Sequence, residues 1–325
     1  MKAIMIKEYG GTEQLELTNI PTPQPENGEV LIRIKAFGVN RADTYMRQGA
    51  WGDVAKVSGI ECVGEIENDP SGKLKQGQKV AAIMGGMGRT INGSYAEFTC
   101  IPSTNVFPIE TSLSWADFAA IPETYATAWS CLHGNMHIKE GDTVFIRGGT
   151  SAVGQAAINI ASHINHVSVI ATTRNPDNVS LLKSLGCDEV LIEEENLHST
   201  LLKKYPDGVD SVLDMIGNST LLDSLKMAKA GGYVCNAGFL GGGDPIPFNP
   251  LLDMPPAVNL NFFASFMFGT PSLPISSVPM QTIINHVESG VYKAKPSNIF
   301  NFEDTAKAQD LMESNQASSK TVVTL

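Results

Sequence analysis

The feature that most constrains this chain is an apolar, β-branched strand that runs directly into a glycine-rich turn and a helix. Residues 143–147 read TVFIR, residues 148–154 read GGTSAVG, and residues 155–161 read QAAINIA. Such a junction points free backbone N–H groups and the positive end of a helix dipole at one place, which suits a pyrophosphate. A glycine turn can also be only a tight connection, and Ser151 and Ala152 stand where further glycines are usual. The segment nevertheless predicts a dinucleotide site.

Strands and helices continue to alternate after this turn. The apolar runs predict strands at 166–172, 188–192, 209–214 and 233–237, with helices at 176–185 and 221–230. This alternation is typical of an α/β protein with a parallel, doubly wound sheet. Ligands of such sheets bind at the carboxyl ends of the strands. The turns expected to converge there are 149–154, 172–175, 215–217 and 238–240.

The end of the second predicted strand bears on which nicotinamide dinucleotide is bound. An NAD-specific protein usually has Asp or Glu about 20 residues after the glycine turn, which binds the ribose 2′-hydroxyl and repels a phosphate there. Residues 172–175 read TTRN, without an acid. Two hydroxyls and the Arg174 guanidinium match a phosphate monoester through charge-assisted hydrogen bonds. We therefore expect NADP(H); the alternative is that Arg174 only solvates a surface loop.

The composition is that of a soluble enzyme of about two domains. The chain has 325 residues, of which 42% are hydrophobic and 18% charged. A formal net charge of -11 argues against nucleic acid or an anionic membrane as the main partner. The five scattered cysteines fit reduced thiols, and we recognise neither a signal peptide nor a membrane span in the sequence. We expect a cytoplasmic protein with a small-molecule substrate.

A different pattern precedes the nucleotide segment. Short alternating runs separated by Pro, Gly and Asn predict strands at 29–36, 59–66, 78–83 and 93–98. The last segment, 297–325, is expected to contain an apolar strand, a helix over 303–314 and a closing strand over 321–325. We expect a small β-rich domain with this last segment packed back onto it.

Several motifs, in order along the chain, resemble those of one family. They are residues 38–49 (GVNRADTYMRQG), 59–64 (GIECVG), 93–97 (GSYAE), 122–129 (PETYATAW), the glycine turn, 209–214 (VDSVLD) and 311–315 (LMESN). Over essentially its whole length the chain resembles the zinc-independent quinone oxidoreductases, the zeta-crystallin-like branch of the medium-chain dehydrogenase/reductase superfamily. The resemblance implies a GroES-like catalytic domain formed by 1–120 and 262–325, a Rossmann domain at 121–261, and a homodimer.

The zinc ligands of the zinc-containing relatives are replaced in this sequence. Those relatives have a cysteine in the first motif and Gly-His-Glu in the second, whereas this chain has Asn40 and the tripeptide Gly59-Ile60-Glu61. It also lacks the clustered cysteines of the structural zinc lobe, so we expect no zinc. Without a Lewis acid, alcohol oxidation is a poor candidate. A quinone, or an enone or enal whose charge is delocalised into an enolate, can accept hydride by positioning against the nicotinamide.

The histidines add no metal site to this expectation. His133 with His137, and His163 with His166, have spacings that metal sites use, but no acidic partner completes a ligand set. We interpret all four as structural or exposed side chains.

The resemblance also assigns roles to single residues. Asn40 and Thr127 are implied as neighbours of the nicotinamide, and Tyr45 as a side chain that faces the acceptor and can protonate the product. The alternative for Tyr45 is a packing tyrosine. Segment 50–56 lacks the prolines frequent in the family, which makes Trp51 a candidate for shaping the mouth of the substrate cleft. The residues expected to bind the cofactor, besides Asn40 and Thr127, are Gly149, Thr150, Ser151, Ala152, Val153, Gly154, Thr172, Thr173, Arg174, Asn175, Ile216, Phe239 and Leu240.

Two later segments complete the expected site. Residues 240–248 (LGGGDPIPF) have the composition of a loop that can move over a cleft. The phenylalanines of 261–268 (NFFASFMF) suit an apolar wall for a planar acceptor, or a buried sixth strand over 262–268 that also forms a dimer contact. We favour the strand, because aromatic runs usually lie in a core.

The leading functional hypothesis is an NADPH-dependent reductase of quinones or activated alkenes, in the quinone oxidoreductase or alkene reductase class. Hydride transfer followed by protonation from Tyr45 or water, and transfer of single electrons, both remain open. An enoyl-thioester reductase shares the fold and cofactor but needs a long channel for an acyl carrier. A non-catalytic NADPH-binding protein is the alternative of a different class.

Overall fold

The computed structural model describes residues 1–314 and 316–325, so the last residue of the 311–315 motif, Asn315, lies outside the described residues. The chain divides into two units. The first contains Met1–Ala126 together with Ser265–Leu325, and the second contains Thr127–Ala264.

The first unit begins with seven strands and a set of short helices. These are β1 Lys2–Ile6, β2 Leu15–Asn19, β3 Glu29–Val39, α1 Arg41–Arg47, β4 Glu61–Asn68, β5 Lys79–Ile83, β6 Phe98–Pro102, β7 Val106–Pro108, α2 Trp115–Ala119 and the beginning of α3 Pro122–Trp129.

The second unit alternates strands and helices. After a π-helical segment, Ser130–Asn135, come β8 Thr143–Arg147, α4 Ala152–Ala161, β9 Ser168–Thr173, α5 Val179–Ser184, β10 Glu189–Ile192, α6 Leu197–Lys204, β11 Val209–Asp214, α7 Leu221–Leu225, β12 Ala228–Asn236, α8 Pro250–Asp253 and β13 Asn259–Phe262. The chain then returns to the first unit with α9 Met280–Glu288, β14 Asn298–Asn301, α10 Thr305–Glu313 and β15 Thr321–Thr324.

The first unit is built on a largely antiparallel sheet in the order β14-β15-β3-β4-β5-β7, with β6 also paired to β3 and with β1 and β2 forming a separate pair. Its core gathers the inward side chains of β3, β4 and β5 with Tyr95 and Phe302. Because β15 pairs antiparallel with β3, the last segment does pack onto the β-rich part, as the sequence predicted.

The prediction of a strand at 93–98 is wrong. The backbone N–H groups of residues 93–95 donate to the carbonyl oxygens of residues 57–59, so this segment is a loop and the strand begins only at Phe98. A Cβ atom at Gly93 would lie 2.2 Å from the Gly59 oxygen, which leaves room for glycine alone. The alternation of residue types along 93–98 does not reveal that this segment lies against residues 57–59.

The sheet of the second unit has six parallel strands in the order β10-β9-β8-β11-β12-β13. The doubly wound parallel sheet predicted from the sequence is therefore confirmed. This order places β9 and β10 on one side of β8 and β11, β12 and β13 on the other, which is the arrangement of dinucleotide-binding sheets. The change of direction beside β8 opens a crevice at the carboxyl ends of the strands.

Two predicted elements of the second sheet need correction. The helix predicted over 221–230 ends at Leu225, and the chain enters β12 at Ala228, which pairs with Val209. Met227 and Ala228 are drawn into the core of this unit. Gly231 has a φ of 81°, and the pairing of β12 with β11 shifts register at this point. Gly231 and Gly232 therefore form an irregularity inside a strand and do not end a helix, as the sequence predicted they would.

The sixth strand lies earlier in the chain than the sequence predicts. It covers Asn259–Phe262 and pairs with the last four residues of β12. Because β12 ends opposite Phe262, it offers no partner to the rest of the predicted strand 262–268. A short helical turn, Ser265–Met267, follows. Phe262 is 54% exposed and Phe266 53% exposed, whereas Phe263 and Phe268 are buried. The aromatic run is therefore split between surface and core.

Candidate active site

The glycine turn after β8 leads into α4, as the sequence predicted. Ser151 caps the helix, because its hydroxyl oxygen accepts from Gly154 N at 3.0 Å while the hydroxyl donates to Gly148 O at 2.8 Å. Gly148 has a φ of 83°, and a Cβ at Gly154 would lie 2.5 Å from Gly148 O. Serine at 151 is thus part of the turn itself.

The start of α4 has unused hydrogen-bond donors. Among the residues that the structure describes, none accepts from the backbone N–H groups of Thr150, Ala152 and Val153. Orphan donors at the first turn of a helix, together with its dipole, favour an anion. This place in the second unit therefore fits the pyrophosphate of a dinucleotide.

The structure brings together the turns that were expected to converge. Gly148 N donates to the Thr172 hydroxyl at 2.9 Å, and Gly149 N donates to Thr172 O at 3.0 Å. A Cβ at Gly148 would lie 3.1 Å from Ile216 Cδ1. In turn, Gly241 N donates to Ile216 O at 2.8 Å. The turns that follow β8, β9, β11 and β12 therefore lie together at the carboxyl edge of this sheet.

The 172–175 loop uses its hydroxyls differently from the sequence-based expectation. Thr172 and Thr173 are buried. The Thr172 hydroxyl accepts from Gly148 N, and the Thr173 hydroxyl donates to Asn175 O at 3.0 Å and accepts from Asn175 N at 3.1 Å. Both threonines hold the loop in shape, and Arg174 and Asn175 are the exposed members. Arg174 is the loop side chain whose charge faces solvent.

Phe239 and Leu240 lie on the exposed loop that follows β12. The rings of Phe239 and Phe262 are 5.7 Å apart, and both are solvent-exposed. Gly238 N donates to the Asn236 side chain at 3.2 Å, and Leu240 N donates to Met215 O at 3.3 Å, which fixes the start of the loop.

Sequence reasoning missed a buried charged network beneath these turns. Arg147, the last residue of β8, is buried and forms ion pairs with Glu193 and with Asp223, the latter at 2.7 Å. Asp214, the last residue of β11, accepts from Ile216 N and Gly217 N at 2.8 and 2.9 Å. Burial raises the pKa of Asp214, and its hydrogen bonds oppose that rise. The sequence does carry one signal that could have revealed this network, because a charged residue ends each of the apolar strands β8 and β11.

In the first unit, Asn40 belongs to a buried polar cluster with Glu61 and Lys320. The Lys320 ammonium lies 2.6 Å from Glu61 Oε1 and donates to Asn40 Oδ1 at 2.6 Å. Asn40 Nδ2 donates to the same Glu61 oxygen at 2.8 Å. The side chains of Lys320 and Glu61 are 5% and 0% exposed. A Cβ at Gly38 would lie 2.4 Å from both Glu61 Oε1 and Lys320 Cε, so glycine there makes room for the pair.

A second buried acid lies beside this cluster. Asp43 Oδ2 accepts from Asn40 N at 2.8 Å and from the Tyr95 hydroxyl at 3.2 Å, while Asp43 Oδ1 has no partner among the described residues. Burial raises the pKa of Asp43 to about 7, with Glu61 adding to the rise and Lys320 opposing it. Neither Lys320 nor Asp43 was selected from the sequence, because nothing local marks them as buried.

Tyr45 lies half-buried in α1, and its ring is 5.9 Å from that of Trp51. Burial raises the pKa of Tyr45, and the positive charge of Arg41 partly offsets that rise. Trp51 is 42% exposed. Thr127, the third residue with an expected role, is buried within α3 in the second unit.

Within 1–314 and 316–325, no group of three or more His, Cys, Asp or Glu side chains is arranged to hold a metal ion. The His137 ring instead contacts His133 O at 3.2 Å. Over the same residues, no helix has both the length and the apolar character needed to cross a bilayer.

Comparison with known proteins agrees with this architecture. The alcohol dehydrogenase GroES-like domain family matches residues 26–111, and the zinc-binding dehydrogenase family matches residues 152–274. Mouse quinone oxidoreductase is 30% identical over 260 residues, which cover 77% of this chain and 76% of that protein. Guanaco quinone oxidoreductase is 28% identical over 334 residues, which cover 100% of this chain and 98% of that protein.

Solved structures are similar over the whole chain. The mycobacterial protein Rv1454c complexed with NADPH has a TM-score of 0.88 at 26% identity, with 100% of both chains covered. The fold and these matches define an oxidoreductase of the medium-chain dehydrogenase/reductase superfamily. Within it, the chain belongs to the quinone oxidoreductase family, in the zinc-independent, zeta-crystallin-like branch.

Proposed function

We propose that this protein is an NADPH-dependent reductase of a quinone or an activated alkene, such as an enone or enal, that works without zinc. The observation that carries the proposal is the start of α4, where unpartnered N–H groups lie beside the acid-free 172–175 loop. Support also comes from the relatives: the mouse and guanaco proteins are quinone oxidoreductases, and Rv1454c is complexed with NADPH.

The cofactor would be held by groups of the second unit. The N–H groups of Thr150, Ala152 and Val153 would bind the pyrophosphate, and Arg174 would bind the 2′-phosphate through its fork of donors. Asn40 and Thr127 are our proposed neighbours of the nicotinamide. When bound, NADPH supplies a hydride ion, and therefore two electrons, to the acceptor.

The cluster at Asn40 does not fit a zinc ion. The Lys320 ammonium already neutralises Glu61 and binds the Asn40 oxygen, so the donor atoms of these two side chains are committed to another cation. A second cation at this place would be repelled by the buried ammonium at short range. The acceptor must therefore be one that takes hydride without a Lewis acid, which favours quinones and conjugated carbonyls over alcohols and simple ketones.

Tyr45 is the proposed proton donor. The phenol carries its proton at neutral pH and burial raises its pKa further, so it can donate a hydrogen bond to an acceptor oxygen and give up the proton to the basic enolate or quinol anion that hydride transfer produces. The balanced reaction takes one hydride from NADPH and one proton from Tyr45 or water, and yields NADP⁺ and the reduced acceptor.

The test is the rate of NADPH oxidation with a panel of quinones, enones, enals and crotonyl thioesters at fixed cofactor. Turnover of quinones or enones, with weaker activity towards thioesters, is the expected result. Tyr45→Phe should lower kcat for enones and leave NADPH binding unchanged. Tight NADPH binding without oxidation by any acceptor would overturn the proposal and favour a non-catalytic binding protein. Rates on thioesters far above those on free enones would favour an enoyl-thioester reductase.

A further inference from the structure

The first unit contains an arginine whose guanidinium lies over two exposed aromatic rings. The Arg89 guanidinium carbon lies 5.3 Å from the centre of the Trp51 ring and 5.0 Å from that of Phe266. The Trp51 ring in turn lies 5.9 Å from the Tyr45 ring. Trp51 and Phe266 are 42% and 53% exposed. The four side chains form what we call the Arg89 box, composed of Tyr45, Trp51, Arg89 and Phe266.

The backbone holds Arg89 in place. Arg89 N donates to Gly86 O at 3.0 Å, and Ala55 N donates to Arg89 O at 2.9 Å, which ties the residue to the segment carrying Trp51. Gly86 and Gly88 have φ values of 93° and 72°, which a tight turn requires. The backbone of Arg89 is thus held by a hydrogen-bonded turn and its guanidinium contacts two rings of the protein itself, so less entropy would be lost on binding.

The charge of Arg89 is not matched within the protein. No ion pair or side-chain hydrogen bond joins Arg89 to another residue in the described part of the chain. By contrast, Arg33, Arg47 and Arg147 are each paired with glutamate. Ring stacking uses the faces of a guanidinium and leaves its N–H edge available. In a chain of net charge -11, an unmatched and preorganised arginine needs an explanation.

We propose that the Arg89 box is an acceptor subsite that recognises a planar, conjugated molecule carrying a carboxylate or a similar oxyanion. Beside the guanidinium, the exposed parts of the Trp51 and Phe266 rings would contact the planar molecule, and the guanidinium edge would bind the anionic group in bidentate form. Tyr45 at the other end of the box would face the group to be reduced. The inference rests on the proposed function for the reaction, but the recognition itself does not require turnover.

Binding is therefore tested without chemistry. Titration calorimetry in the presence of NADP⁺ compares 2-naphthoate with 2-naphthamide, its neutral analogue of the same shape. The wild type should bind the carboxylate at least tenfold more tightly. Arg89→Met, which keeps an apolar chain between the rings, should bind both equally, and Arg89→Lys should recover part of the preference. Lys75→Met removes an exposed charge from a different loop and should leave the preference intact.

A second arm separates this inference from the proposed function. It compares kcat/KM for 1,2-naphthoquinone-4-sulfonate with that for 1,2-naphthoquinone in the wild type and in Arg89→Met. The variant should lose at least tenfold on the sulfonate, mainly through KM, and little on the neutral quinone. Equal binding of 2-naphthoate and 2-naphthamide by the wild type, or a preference that survives in Arg89→Met, overturns the subsite even if both quinones are reduced. A carboxylate preference without turnover of either quinone leaves the subsite standing and rejects the reductase.

Discussion

At the scale of single residues, Arg174 differs from the two threonines of its loop, because its charged side chain is exposed while theirs are buried. The neighbouring hydroxyls of Thr172 and Thr173 are bound to the protein, so a 2′-phosphate would depend on the guanidinium more than the sequence suggested. In the proposed site, cofactor choice would therefore depend on one exposed side chain, which makes no hydrogen bond that shapes the turn.

Arg174→Ala should raise the NADPH dissociation constant about tenfold to a hundredfold, because a charge-assisted phosphate contact of ~1.5 to 3 kcal/mol is lost. NADH lacks the phosphate and should bind as before. Titration calorimetry with both cofactors measures this, and Lys203→Ala, which removes an exposed charge from α6, is the matched control. Equal losses for the two cofactors would show that this loop does not recognise the phosphate.

The buried carboxyl of Asp43 predicts a specific pH dependence of stability. Its pKa in the folded protein is about 7 and is raised from 3.8 by burial, so the folded state holds a proton that the unfolded chain releases near pH 4. Stability should therefore fall as pH rises from about 4 to about 7, by up to roughly 4 kcal/mol from this group. The charged groups that face it, Glu61 and Lys320, are themselves paired.

Asp43→Asn removes this titration and keeps an oxygen that can accept from Asn40 N. Urea unfolding at several pH values between 4 and 8 should show a flatter profile for the variant than for the wild type. If the two profiles run parallel, Asp43 is not the group responsible.

At the scale of elements, the helix α4 combines a buried length with unused backbone donors at its first turn, where we propose that the cofactor binds. Ser151 satisfies Gly154 N, while the N–H groups of Ala152 and Val153 have no acceptor among the described residues. The serine at a position where glycine is more usual is thus a cap that shapes the site.

Ser151→Ala should lower the free energy of unfolding by about 1 kcal/mol and also weaken NADPH binding, because both the cap and the shape of the turn depend on this hydroxyl. Ser114→Ala is a matched control, since Ser114 caps α2 in the first unit by accepting from Asp117 N at 3.1 Å. It should show a similar loss of stability with unchanged NADPH binding. A Ser151→Ala protein that binds NADPH like the wild type would contradict this role.

At the scale of the whole molecule, contacts between distant parts of the chain close the first unit. Strand β15 pairs with β3, and Lys320 beside it reaches Glu61 at the start of β4. The unit is interrupted in sequence by residues 127–264, so its N-terminal and C-terminal parts must meet before its sheet and its buried ion pair can form.

Lys320→Met should lower the free energy of unfolding by about 3 to 5 kcal/mol, because it leaves the Glu61 charge buried without its partner. The double variant Lys320→Met with Glu61→Gln removes both charges and should recover most of that loss. Denaturant unfolding of the two single variants and the double variant completes the cycle. Additive losses would show that the two side chains do not act as a pair.

The sequence alone determined the parts of this protein that depend on local pattern. The strand at 143–147, the glycine turn and the helix after it follow from residue order, and so does the alternation that produces a parallel sheet. Turn chemistry and hydrophobic period act between neighbours in the chain, so one sequence is enough to predict them.

The tertiary structure decided what depends on partners far away. The loop at 93–95 is set by the backbone of 57–59, the early entry of β12 by its pairing with Val209, and the end of β13 by the end of β12. Burial of Lys320 and the contacts of Arg89 with two rings likewise arise from segments remote in sequence. The charge state and the contacts of a side chain depend on the groups that surround it in space. A pattern of residues along the chain does not state how far apart two remote segments lie in the folded protein.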